Sequence, residues 1–257
     1  YISMLRACMG YMDTTKHSYS DLFNEINLVT GGISPVTNIY THADNFDEAT
    51  VTFELKCKVM YEDMEAAAAL MEEMLLDTVY ADKKRLYEII AEGKSRLQSQ
   101  MTSAGHTVSA IRAMSYFSKV AAINEVMNGI TLYRFYDELE RNFDAKYEET
   151  AANLQRLCHI LFRKENFMAD ITAEEAGIAK WSEFVPKIAD KLYTCEVRTG
   201  KFEPEVIKKN EGLMTSGQVQ YVCSAGNFFK GTYRHKTASS RSRFISFNTH
   251  CYFLLLC

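Results

Sequence analysis

The chain is 257 residues long, 47% hydrophobic and 24% charged, which is enough apolar material for one large core or two ordinary ones and too much for a disordered segment. Its net charge of −4 is unevenly spread: residues 1–211 hold all 33 acids against 24 Lys and Arg, whereas 212–257 hold five basic residues and no acid. An acidic body of this kind excludes a nucleic-acid binder, which needs a basic face.

The first residues, "YISMLRACMGYMDT", start without Met inside an apolar pattern (Ile2, Leu5, Met9, Met12). They read as a helix cut from a longer chain. Ser18 followed by Asp21 predicts a helix N-cap, with a helix over 19–30. Gly31 is expected in the left-handed C-terminal position that stops it. Two strands are predicted next. Residues 33–41 contain Pro35, which suits an edge strand. Residues 50–59 alternate, with Val51, Phe53, Leu55, Cys57 and Val59 on one face and polar residues on the other, as in an antiparallel strand with one wet face.

From Tyr61 to Phe162 the period is helical. The predicted helices are 61–76, with a methionine stripe read as core; one capped by Asp82 and lined by Leu86, Ile89, Ile90, Leu97 and Met101; and others near 105–117, 120–142 and 145–162. "NFMADITA" (166–173) alternates and reads as a strand. A helix over 174–192 is interrupted by Pro186. Residues 194–212 read as a polar linker and 217–226 as a strand. Strands and helices are segregated, which favours an α+β class, an antiparallel sheet with helices on one face and a helical insertion, truncated at both ends. The expected divisions are an α+β unit over 1–173, a helix and linker over 174–215, and the start of a further domain over 216–257.

Chemical motifs are scarce. The histidines (17, 42, 106, 159, 235, 250) form neither H-E-x-x-H nor H-x-x-E-H. His159 and His106 read as packed or surface residues, His106 as a candidate helix cap. No G-x-S-x-G and no Walker sequence occurs, and "TGGIS" lacks a phosphate-loop Lys, so it reads as a helix stop. Glu72–Glu73, Glu148–Glu149 and Glu174–Glu175 are adjacent pairs that cannot face each other on a helix and are expected in solvent. The seven cysteines (8, 57, 158, 195, 223, 251, 257) lack C-x-x-C spacing and read as reduced thiols of an intracellular compartment, cytoplasm or organelle matrix. No apolar run approaches the ~20 residues of a membrane span, so no membrane partner is expected.

Three separated blocks, "GYMDTTKHSYSDLFNEINLVTGGIS", "AEGKSRLQSQMTSAGHTVSAIRAMSYFS" and "KNEGLMTSGQVQYVCSAGNF", resemble the presequence protease branch of the pitrilysin/insulinase-type zinc metallopeptidases, the inverzincins. The likeness covers about residues 1–229. It implies four related α+β domains in two halves that close on unstructured peptides. The first half carries H-x-x-E-H and a distal Glu: two His and that Glu bind zinc, and the motif Glu activates water. This chain resembles the second half only, most of the third domain and the start of the fourth, with the third domain's first strand falling before Tyr1. The Arg and Tyr that such enzymes use on substrate would fall beyond Phe229. No catalytic, cofactor-binding or metal-ligating residue is therefore assigned to a numbered position. Zinc is expected in the intact parent enzyme and not in this piece. The implied partners are a peptide substrate and the N-terminal catalytic half, with no nucleic acid. Two other readings stand: a catalytically silent subunit of the same family, and a free-standing helical interaction module. From about residue 230 the sequence leaves the pattern. The tail reads as a frame-shifted or mis-joined translation, with a divergent strand pair as the alternative.

Overall fold

The computed structural model describes residues 1–42, 45, 47–196, 200, 202–214 and 220–226, and the backbone of 254–256. The tail reading from 230 lies outside these residues except at 254–256. The chain divides into two compact units. The first comprises 1–38, 51–91 and 139–200; the second comprises 39–50, 92–138 and 201–257.

The first unit opens with α1 (Ile2–Cys8), whose Met4, Leu5 and Cys8 are fully buried, as are Met9 and Met12 just beyond it. Gly10 turns the chain in the left-handed region at φ 82°. Helix α2 (Tyr19–Val29) starts as predicted: the Asp21 amide donates to Ser18 Oγ at 3.2 Å, and the Tyr19 amide donates to Asp13 Oδ1 at 2.7 Å.

Its end differs from the expectation, because Gly31 is not left-handed. Thr30 turns extended at φ −138°, its Oγ1 donating to the Ile26 carbonyl at 2.6 Å and accepting from the Gly32 amide at 2.9 Å. Positive φ falls on Gly32 instead, at 107°. Gly31 serves close approach: its amide donates to the Lys58 carbonyl at 2.7 Å, and a Cβ there would lie 3.3 Å from the Lys58 Cβ.

Strands β1 (Ile33–Thr41) and β2 (Ala49–Cys57) form a two-stranded antiparallel sheet. Neither strand has a fully buried residue, and Val51 is exposed, so the dry face predicted from the alternation is only half covered. Phe53 packs edge-on against Phe162 with ring centroids 5.4 Å apart.

A 3-10 turn (Tyr61–Asp63) leads into α3 (Met64–Leu76), where Met64, Ala67, Leu70 and Met74 are core, as the stripe predicted. Helix α4 (Lys83–Ser103) begins at Asp82, whose Oδ1 accepts from the Arg85 amide at 2.9 Å. Helix α8 (Phe143–Leu161) buries Thr150, Leu154 and Cys158. Helix α9 (Glu175–Lys191) runs unbroken through Pro186.

The strand predicted over 166–173 is not formed. A 3-10 turn (Lys164–Asn166) is followed by irregular chain, with Met168 81% exposed. Alternation suits a strand only where a second strand takes up its amides and carbonyls, and none of the described strands lies alongside.

In the second unit α5 (Gly105–Met114) is followed by α6 (Lys119–Asn128), capped by Ser118. The single helix predicted over 120–142 is two. Gly129 is extended between α6 and α7 (Ile130–Arg141), and a Cβ there would lie 2.7 Å from the Glu125 carbonyl oxygen. Gly93 of α4 takes the Tyr136 ring of α7 against its bare Cα; an added Cβ would sit 3.2 Å from the ring. Residues 202–214 have neither helix nor strand. Strand β3 (Gln220–Val222) pairs antiparallel with β4 (Leu254–Leu256). The flanks of the strand predicted over 217–226 are either irregular or outside the described residues. The fold class is α+β.

Candidate functional site

The motif-poor reading holds for the "TGGIS" segment: the Gly31 and Gly32 amides are both taken up within the chain, leaving no phosphate cradle there. His159 is exposed and stacks on Tyr193 at 4.1 Å; His106 lies 5.7 Å from the Tyr221 ring, and α5 has no side-chain cap. His42 Nε2 lies 3.0 Å from Thr50 Oγ1. His235 and His250 lie outside the described residues. Among the described residues no group of three or more His, Cys, Asp or Glu is arranged to hold a metal.

The two buried cysteines, Cys8 and Cys158, are not poised as nucleophiles. Burial pushes the Cys8 thiol up to about 12 and Cys158 up to about 11, so both stay protonated at neutral pH. The Tyr80 hydroxyl lies 3.3 Å from Cys158 Sγ, and burial raises its pKa too.

Two of the three acid pairs, Glu148–Glu149 and Glu174–Glu175, are exposed as expected. The third corrects the expectation. Glu72 meets Lys191 at 2.8 Å, but Glu73 is buried at 4% exposure. Its register on α3 is that of Leu70 and Met74, so the helix turns it inward. Glu73 Oε1 accepts from His17 Nδ1 at 2.8 Å and from Thr14 Oγ1. Thr14 Oγ1 also accepts from the amides of Lys16 at 3.1 Å and His17 at 2.8 Å. One buried carboxylate thus shapes the turn between α1 and α2.

The second unit holds a larger polar cluster, which the sequence reading missed. Glu125 of α6 is 3% exposed. Its Oε1 accepts from the Thr131 amide at 3.0 Å and its Oε2 from Thr131 Oγ1 at 2.6 Å, satisfying the first turn of α7. Oε1 also lies 3.0 Å from Arg112 Nη1. The other edge of the guanidinium holds Glu211: Nε donates to Oε2 at 2.7 Å and Nη2 to Oε1 at 3.0 Å. The Tyr116 hydroxyl donates to the same Oε2 at 2.6 Å. Three charge-assisted bonds, led by Arg112, hold the Glu211 carboxyl down to about 2. The same contact raises Arg112, while burial and then the Glu211 bond raise Tyr116.

Beside the cluster lies a cleft of about 220 Å³, floored by Arg112, Tyr116 and Glu125 and walled by Val126, Phe202 and Ile207. Its lining sets the carboxylates Glu125, Glu203 and Glu205 beside Arg112 and Lys209. It has no nucleophile–base pair. The signal for these residues was an acid on the apolar face of each short helix, Glu73 among Leu70 and Met74, Glu125 among Ala122 and Met127.

The sequence model of the family described as associated with peptidase family M16, subfamily C, matches residues 1–139. The chain is 28% identical over 240 residues to Protein HypA of Clostridium perfringens, covering 93% of this chain and 24% of that protein. It is 24% identical over 228 residues to presequence protease 1, chloroplastic/mitochondrial, of Arabidopsis thaliana, covering 88% and 21%. It is 22% identical over 197 residues to the mitochondrial presequence protease of Yarrowia lipolytica, covering 76% and 20%. The chain thus spans a quarter or less of the length of these relatives. With its α+β fold and the family match across more than half its length, the chain belongs to this peptidase-associated family, within the presequence-protease group of the M16 peptidases.

Proposed function

We propose that this chain is part of the non-catalytic C-terminal half of a zinc metalloendopeptidase that degrades short unstructured peptides in an intracellular compartment. In this reading 1–173 is the third α+β unit with its helical insertion, 174–215 is a helix and linker, and 216–257 opens the fourth unit. The zinc and its H-x-x-E-H belong to the N-terminal half of the parent chain. This part supplies a wall of the chamber, enclosing the peptide and excluding water while the other half cleaves it. The observation that carries the reading is the family match over 1–139, supported by relatives named presequence proteases.

The test is reconstitution. The 257-residue chain is assayed on an internally quenched peptide, alone and mixed with the separately expressed N-terminal half, with and without zinc. The expected result is no cleavage by the chain alone, weak cleavage by the N-terminal half, and a zinc-dependent gain on mixing. Zinc-dependent turnover by this chain alone, or no gain on mixing, overturns the proposal.

A further inference from the structure

Residues 202–214 lie on the helices of the second unit as a strap of irregular chain, and among the described residues no backbone–backbone hydrogen bond ties them down. Their apolar side chains add little hold, because Phe202, Val206, Ile207, Leu213 and Met214 are all exposed. Phe202, Pro204 and Ile207 of the strap line the cleft of about 220 Å³ together with Ala122 and Val126 of α6, so strap and helix share a gap there instead of a packed contact. Attachment falls to charged side chains, and it is unequal along the strap. At residue 211 the carboxylate takes two parallel N–H bonds from Arg112 and a third bond from the Tyr116 hydroxyl. Arg112 and Glu211 are only 14% and 24% exposed, and Glu125 pins the opposite corner of the guanidinium, so this end is preorganised and shielded from salt. At residue 203 the carboxylate meets the Lys119 ammonium with the two side chains 48% and 44% exposed, a pair that water and salt weaken. Between the two ends, exposed Lys208 lies over the Phe117 ring at 5.8 Å.

We propose that 202–214 is a strap with one fast and one loose end, which lifts at Glu203 while Glu211 stays seated on Arg112 and Tyr116. Lifting opens the cleft along Ala122 and Val126 at small cost, since the space beneath the strap is already unfilled. Ionic strength is the control, because it acts on the exposed Lys119–Glu203 pair far more than on the shielded one. Protonation is not: with its pKa held down to about 2, Glu211 keeps its charge at any physiological pH. The unequal ends stand on the geometry alone. Their use as a device rests on the linker role proposed above for 174–215: a strap seated at both ends is a short tether, and one lifted at Glu203 is longer by up to about 3.3 Å for each released residue.

The test is limited proteolysis of the full 257-residue chain with thermolysin, read by mass spectrometry. Cuts before Val206 and Ile207 report the loose end, and cuts before Leu213 and Met214 the fast end. Each rate is divided by that of a free 202–214 peptide carrying the same substitution, which removes the effects of salt and sequence on the protease. Cleavage of a segment that opens and closes quickly follows the population of its open form. In the unaltered chain, raising the salt from 50 to 500 mM is expected to speed the 206/207 cuts severalfold and to leave the 213/214 cuts unchanged. Glu203→Gln, or independently Lys119→Met, is expected to give the same severalfold gain at low salt and to abolish the salt response. Glu211→Gln is expected to speed the 213/214 cuts about tenfold or more. Equal gains at both pairs of cuts with salt or with Glu203→Gln overturn the proposal, as the strap then leaves as a whole. So does a 206/207 rate that neither salt nor Glu203→Gln and Lys119→Met changes. No peptidase activity of the chain enters the readout, so failure here leaves the reconstitution result untouched and the two proposals fail separately.

Discussion

Glu73 in the first unit and Glu125 in the second are both acids on the apolar face of a short helix, and both are nearly inaccessible. They are satisfied in opposite ways. Glu73 is answered by a threonine hydroxyl and an imidazole three residues apart in one turn. Glu125 is answered by a permanent cation, with Thr131 taking its remaining lone pairs. The first carboxylate therefore fixes the path of the chain, and the second fixes the aim of a charge. Burial alone does not say which job an acid has; the partner does.

The strongest way to break this comparison is Arg112→Met. It strands the Glu125 carboxylate in the interior, and a loss of about 3 kcal/mol is expected, because removing one member of a buried pair leaves the other uncompensated. Urea unfolding measures it, and a loss under about 1 kcal/mol shows that Thr131 alone suffices.

Thr14→Val removes a bond to Glu73 together with the acceptor of two turn amides. The expected loss is smaller, about 1–3 kcal/mol, because His17 still donates to the acid. Glu73→Gln, which keeps an acceptor, is expected to cost less than Thr14→Val; the reverse order shows that Glu73 acts as a charge, as Glu125 does.

The smallest effect is that of pH on Glu211. Its pKa is depressed in the folded chain, so its contribution is fully present above the ordinary value of 4.5 and is lost as pH falls from there through about 2. A carboxyl carbon titration by NMR reads it directly, and a Glu211 midpoint near the ordinary 4.5 removes the clamp.

What the sequence made legible was local. The Ser18 and Asp82 caps, the methionine core of α3 and the helix through 175–191 follow from rules that act within a few residues. The break at Gly129 was also written there, in a glycine between two apolar stripes, but the period ran on across it. The segment 166–173 misled because alternation describes a surface, and a strand needs a neighbour. At Thr30 the helix is stopped by a hydroxyl that serves as donor and acceptor at once, a role the glycine pair beside it concealed. The Arg112 cluster gathers residues from 112, 125, 131 and 211, and no window of sequence contains it.

The contact of Tyr136 with Gly93 has an evolutionary corollary. The ring occupies the notch that a missing side chain leaves in α4, so the two positions are bound to vary together. A lineage that acquires alanine at 93 must tilt or shrink the aromatic at 136, and one that loses the aromatic is released to acquire a better helix former. Covariation of this pair among homologues is the trace such a fit leaves behind.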